Sequence, residues 1–155
     1  MPLRHLLAVE HLSKKQIERI LARAESFAEV GRRDIKKVPT LRGRTIVNLF
    51  FESSTRTSSS FELAAKRLSA DLVSIKSAGS SLDKGESLRD TVATLLAYDP
   101  AAIVIRSPHV GAAELVARWG EEISLAGGRG AQAPAVVNAG DGKHEHPSQA
   151  LLDLY

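Results

Sequence analysis

Thr45-Ile46-Val47-Asn48-Leu49-Phe50-Phe51-Glu52-Ser53-Ser54-Thr55-Arg56-Thr57 is the stretch that decides the fold. Its first seven residues are almost wholly apolar and then give way to hydroxyls and one arginine. Phe61-Glu62-Leu63-Ala64-Ala65-Lys66-Arg67-Leu68 follows with helical spacing. The pattern predicts a buried strand that delivers a Ser-Thr-Arg-Thr cluster onto the start of a helix. Backbone N–H groups lack partners at such a start, and the helix dipole favours an anion there. Hydroxyl donors beside a guanidinium fork suit a phosphate or a carboxylate. The alternative is an N-capped helix carrying a surface arginine. Three consecutive donor side chains at one strand-to-helix turn favour the anion reading.

Working outward, Ser13 with Gln16 forms a capping box, and Ile17, Ile20, Leu21, Ala24, Phe27 and Ala28 recur at helical spacing up to Gly31. A strand is expected over 44–51 and a helix over 55–69, the latter burying Phe61, Ala64, Ala65 and Leu68. A second strand spans 71–75. After a Ser- and Gly-rich loop, a third helix opens at Glu86 and turns Leu88, Val92, Leu95 and Leu96 inward. The third strand, 101–105, is apolar throughout, as parallel strands covered on both faces are. A helix over 112–119, a fourth strand over 135–138 and a helix opening at Pro147 complete the chain. Such alternation predicts an α/β domain: a doubly wound, four-stranded parallel sheet with helices on both faces. The uncapped run Leu151-Leu152-Asp153-Leu154-Tyr155 reads as a helix cut short.

With 155 residues, 43% apolar and 25% charged, the composition is that of one soluble globular domain. There is no cysteine, which excludes disulfides and thiolate metal sites and fits a reducing, cytosolic compartment. The net charge is only +3, and the basic residues are interleaved with acids, so no nucleic-acid stripe is expected. Neither a signal peptide nor a membrane span is visible. Gly-x-x-x-x-Gly-Lys-Ser/Thr and Gly-x-Gly-x-x-Gly loops are absent, which removes the two commonest nucleotide fingerprints.

Ligands in open parallel sheets bind beyond the carboxyl ends of the strands. Here those ends supply Ser54, Thr55, Arg56 and Thr57, then Ser80, Ser81 and Lys84, then Arg106, and finally His146 with Gln149. None places a carboxylate pair, or a nucleophile with its base, at such a position. The inventory points to electrostatic polarisation of a bound anion, with no covalent intermediate. His144-Glu145-His146 offers two imidazoles for a metal but no third ligand, so no metal is expected. Taken singly, each also has a plain alternative reading: Arg106 and Lys84 as surface cations, His146 as a histidine bonding loop carbonyls.

Taken together, the ordered motifs carry a resemblance. Ser54-Thr55-Arg56-Thr57 with Ser60-Phe61-Glu62, Lys84-Gly85-Glu86-Ser87, Ile105-Arg106-Ser107-Pro108 and His144-Glu145-His146-Pro147-Ser148-Gln149 are similar to those of the transcarbamoylases. The Lys84-Gly85-Glu86-Ser87 loop and the lack of cysteine after Pro147 favour the aspartate branch over the ornithine one. The resemblance implies a carbamoyl-phosphate-binding domain over 1–142 and the start of an interdomain helix over 143–155, with an aspartate-binding half beyond the chain. It implies carbamoyl transfer from carbamoyl phosphate to L-aspartate, the committed step toward pyrimidines, without metal or organic cofactor.

Within that resemblance Ser54, Thr55, Arg56 and Thr57 hold phosphate, and Arg56 also neutralises the leaving group. Thr57, Arg106 and His146 contact the carbonyl oxygen, and Gln149 the carbamoyl nitrogen. Ser80 or Ser81, with Lys84, reaches in from a neighbouring subunit, so a homotrimer with a shared active site is implied. Regulatory or other pyrimidine-pathway subunits are compatible with it. A non-catalytic phosphate-binding or assembly module is the remaining alternative.

Overall fold

The computed structural model describes residues 3–76, 87–127 and 132–155. Among them the order is α1 (Lys14–Gly31), β1 (Thr45–Phe50), α2 (Thr55–Arg67), β2 (Asp71–Lys76), α3 (Leu88–Leu96), β3 (Ala102–Ser107), α4 (Ala112–Ala126), β4 (Ala135–Asp141) and α5 (Pro147–Asp153). The four strands form one sheet in the order β2-β1-β3-β4, and every pairing is parallel. This is the α/β architecture expected.

Alternation along each strand divides the core into two layers. Val47, Leu49, Ile103, Ile105 and Val136 pack with Val92 and Leu95 of α3 and Val116 of α4. Ile46, Phe50, Val104 and Ala139 face the other way, against Ala65 of α2. Each fully buried aliphatic side chain contributes roughly 1.5–3 kcal/mol, so the first layer supplies most of the apolar stabilisation. Trp119 of α4, the chain's single tryptophan, packs half-buried against that layer.

The capping box at Ser13 is present: the Gln16 N–H donates to Ser13 Oγ, and the Ser13 N–H donates back to Gln16 Oε1. Yet no residue of α1 is fully buried; its apolar stripe lies half-exposed. Several expectations need correction. Helix α4 runs to Ala126, beyond the expected stop at Trp119. Gly120 does not end it, because Glu121, Glu122, Ile123 and Leu125 continue the helical pattern and Gly120 itself is buried beside Pro134.

Strands β3 and β4 extend past their apolar runs to Ser107 and Asp141, since the backbone ladder continues whatever the side chains. Helix α3 is capped by Ser87 and starts at Leu88. Ala64, expected to be buried on α2, is exposed; only Ala65 and Ser58 of that helix are fully buried. The segment before α1, not expected to pair, bridges the sheet at Leu6 and Val137, with the Leu6 N–H donating to the Val136 carbonyl at 2.8 Å.

No described helix is long and apolar enough to cross a membrane. Leu49 is fully buried on β1 and Leu63 is 48% exposed on α2. Leu49→Ala is expected to cost about 3 kcal/mol of unfolding free energy, from lost transfer energy and a residual cavity. Leu63→Ala should cost under about 0.5 kcal/mol. Urea unfolding of the two variants checks this, and equal losses would contradict the two-layer core.

Candidate functional site

The strand order reverses between β1 and β3, so the chain leaves their carboxyl ends in opposite directions and opens a crevice. The Phe51 N–H donates to the Arg106 carbonyl at 2.8 Å, which brings the loop before α2 directly against the end of β3. Three of the expected groups thus originate at this switch point: the Ser54–Thr57 turn, Arg106 and, from the neighbouring β4 end, His146.

Ser54 is the N-cap residue of α2, yet its side chain makes no capping hydrogen bond. In α1, α3 and α5 the cap side chain does accept one from the helix. The first turn of α2 also carries no acidic residue. Its N–H groups and positive dipole end are therefore left for an outside acceptor. A cleft of roughly 230 Å³ opens beside this turn, lined by Ser53, Ser54, Thr55, Ser58, Glu62 and Lys76 among others. A larger hollow of about 430 Å³, among Leu96, Asp99, Pro100 and Ile123, lies at the opposite, amino-terminal end of the strands. No donors from the strand ends converge there, and it is not assigned to the site.

Arg106 is held on two sides. Its Nη1 donates to the Ala139 carbonyl at 2.9 Å, and Nη2 lies 3.3 Å from Glu52 Oε2. Its buried Nε–H has no partner among the described residues. The guanidinium lies over Gly140, whose φ of +118° and missing Cβ make the approach possible; a Cβ there would collide with Nη1.

The same missing Cβ would stand 3.5 Å from the ring of His146, so Arg106 and His146 share one corner. His146 is the N-cap of α5, and its Nδ1 accepts from the Gln149 N–H at 3.3 Å and the Ser148 hydroxyl at 3.1 Å. That arrangement leaves the proton on Nε2. Burial, then the positive charge of Arg106, hold the His146 pKa below its ordinary value. The ring is therefore a neutral Nε2–H donor near pH 7.

The remaining expected residues are less convergent. Arg56 is exposed in the first turn of α2 and has no ion pair among the described residues, and Thr57 is half-buried beside it. The Gln149 amide donates to Asp153 Oδ1 at 2.9 Å, along its own helix. Ser80, Ser81 and Lys84 lie outside the described residues. Among the described residues no cluster of three His, Cys, Asp or Glu offers a metal site.

Two acidic residues were not singled out from sequence. Glu52 pairs with Arg106 across strands, a long-range relation that no local motif signals. Asp141 is 2% exposed and accepts from Asn138 Nδ2, the Gly111 and Glu145 N–H groups and His144 Nδ1. Its flanking glycines read as an ordinary turn.

With this geometry in hand, the sequence pattern of the aspartate/ornithine carbamoyltransferase carbamoyl-P binding domain matches residues 4–155. The chain belongs to this family. Aspartate carbamoyltransferase catalytic subunits from Clavibacter sepedonicus and Mycobacterium tuberculosis (strain H37Rv) are 53% and 55% identical over 153 and 152 residues. They match 99% and 97% of this chain, which spans 45% of either relative.

The catalytic subunit of M. jannaschii aspartate transcarbamoylase superposes with a TM-score of 0.82 at 35% identity, over 98% of this chain and 45% of that one. The Trypanosoma cruzi enzyme in complex with carbamoyl aspartate and phosphate gives 0.79 at 33% identity, again over 98% and 45%. Both carry this carbamoyltransferase domain within a chain about twice as long.

The His144–Asp141 pair has a pH signature. The hydrogen bond to Asp141 raises the His144 pKa above 6.5, against a smaller opposing effect of desolvation. Burial pushes the Asp141 pKa up, but hydrogen bonds from Asn138, Gly111, Glu145 and His144 outweigh it and leave the value below 3.8. A raised histidine contributes stability that is complete below 6.5 and lost as pH rises through its folded value. Asp141 contributes stability present above 3.8 and lost as pH falls through its depressed value. The stability difference between wild type and His144→Ala is therefore expected to shrink as pH rises above about 6.5, read by urea unfolding at a series of pH values. A pH-independent difference would contradict the pairing.

Proposed function

We propose that the protein carrying this domain transfers the carbamoyl group of carbamoyl phosphate to the amine of L-aspartate, giving N-carbamoyl-L-aspartate and phosphate. One observation carries the reading: Arg106 and a neutral His146 flank Gly140 at the switch point, next to the uncapped start of α2. Relatives at 53–55% identity bear the name aspartate carbamoyltransferase, which favours aspartate over ornithine as acceptor. The Trypanosoma cruzi structures with carbamoyl phosphate and aspartate, and with carbamoyl aspartate and phosphate, support the same substrates and products.

The chemistry follows from the donors. The phosphate group sits at the first turn of α2, where backbone N–H groups, Ser54, Thr55, Thr57 and Arg56 meet its charge. The carbamoyl oxygen points to Arg106 and to Nε2–H of His146. As the aspartate amine attacks the carbonyl carbon, a C–N bond forms, negative charge collects on that oxygen, and the proton the amine loses passes to the departing phosphate. Fixed donors there are worth roughly 3–4 kcal/mol each, because they need no reorganisation as the charge develops. The C–O bond to phosphate then breaks, and phosphate leaves with the electron pair, its charge already compensated. Holding both reactants in line supplies much of the remaining acceleration.

The Ser80/Ser81–Lys84 loop completes the phosphate shell from a neighbouring copy, so the working unit is a homotrimer in the cytoplasm. The acceptor amino acid is bound by the half of the longer protein that this domain lacks. In the full-length enzyme His146→Ala is expected to lower kcat about 10²-fold, and Arg56→Ala by 10²–10³-fold, in a carbamoyl-aspartate assay. Wild-type turnover in both variants would remove the reading. The isolated 155-residue domain is expected to bind phosphate and to form no product.

A further inference from the structure

We propose that Asp141 is the positioning residue of His146: its buried carboxylate clamps the His144–Glu145 turn onto the end of β3 and so sets where the imidazole stands. The inference rests on the reading of His146 as the neutral donor to the substrate carbonyl. Asp141 itself touches neither Arg106 nor His146. It acts on the backbone between them.

The four donors on this carboxylate divide evenly between its oxygens. Oδ1 accepts from Asn138 Nδ2 at 3.0 Å and from the Glu145 N–H at 2.9 Å. Oδ2 accepts from the Gly111 N–H at 2.9 Å and from His144 Nδ1 at 3.1 Å. Glu145 immediately precedes His146, and Gly111 caps α4 after the turn that follows Arg106. One side chain thus spans both turns that frame the switch-point corner.

Backbone bonds reinforce the clamp. The Asp141 N–H donates to the Glu145 carbonyl at 3.1 Å, and the Gly142 N–H donates to the Ser107 carbonyl at 2.9 Å. Gly142 sits at φ +66°, and a Cβ there would press on the Pro108 carbonyl, so the turn is seated close against β3's exit. Only a carboxylate satisfies this arrangement. An amide at 141 turns one of its two ends into a donor, which then faces the Glu145 N–H or the Gly111 N–H, whichever way it is flipped.

The test is a double-mutant cycle in the full-length enzyme with Asp141→Asn, His146→Ala and their combination. Asp141→Asn is expected to lower kcat about tenfold while the KM for carbamoyl phosphate moves less than about threefold, because the phosphate is held at α2. In the His146→Ala background the same substitution should change kcat by less than about threefold, since the residue it positions is already gone. Activities are referred to the folded fraction measured by circular dichroism. Asp141→Glu, which keeps the charge and shifts the carboxylate by one methylene, gives a second cycle if the amide variant does not fold. Wild-type kcat in both Asp141 variants, or an equal loss in both backgrounds, overturns the inference. Full activity of His146→Ala alone instead overturns the reading of the site on which it rests.

Discussion

Parallel pairing of β1 with β3, in a sheet where β1 also pairs with β2, is the constraint on which the rest depends. Pairing in this order sends the α2 crossover to one face and the α3 and α4 crossovers to the other, and leaves the two central strand ends without a covering connection. The apolar run from Ile46 to Phe50 is what secures it, because both faces of that strand must be buried. Once β1 is central, the hydroxyl-rich turn that follows it has nowhere to go but the crevice. The chemistry is a by-product of strand order.

The fold was readable because its main signals are local. The β1 run, the Ser13-Gln16 box and the apolar third strand each state their own conformation within a few residues. Helix α4 outruns its expected end at Trp119 because packing of Gly120 beside Pro134 outweighs a glycine's weak helix propensity. Leu6 gave no sign of its bridge to Val137, because a single backbone pairing leaves no periodicity to detect. Ala64 was assigned to the buried face by spacing alone, but α2 lies against the sheet through Ala65 and the serine at 58.

The site was only partly readable, for a different reason. Residue types at strand ends could be inventoried, and Arg106 with His146 does converge. What holds them could not be seen. Glu52 meets Arg106 across strands, and Asp141 is a carboxylate buried inside a Gly-Asp-Gly turn that composition marks as surface. Supporting groups of this kind answer to three-dimensional neighbours, and a linear motif records only the residue that touches the ligand. Gln149 shows the converse. Its amide bonds Asp153 on the same helix, although its place in the motif suggested an inward reach.

Trp119 turns the two-layer arrangement into something observable. A lone indole packed among the α3 and α4 side chains glows according to the dryness of that layer and is insensitive to what happens around α1 and α2 on the reverse of the sheet. Its emission colour therefore follows one half of the interior, whereas circular dichroism follows helices on both. Superimposable melting curves from the two signals would mean the halves let go as one; separated curves would show the sheet shedding its thinner coat first.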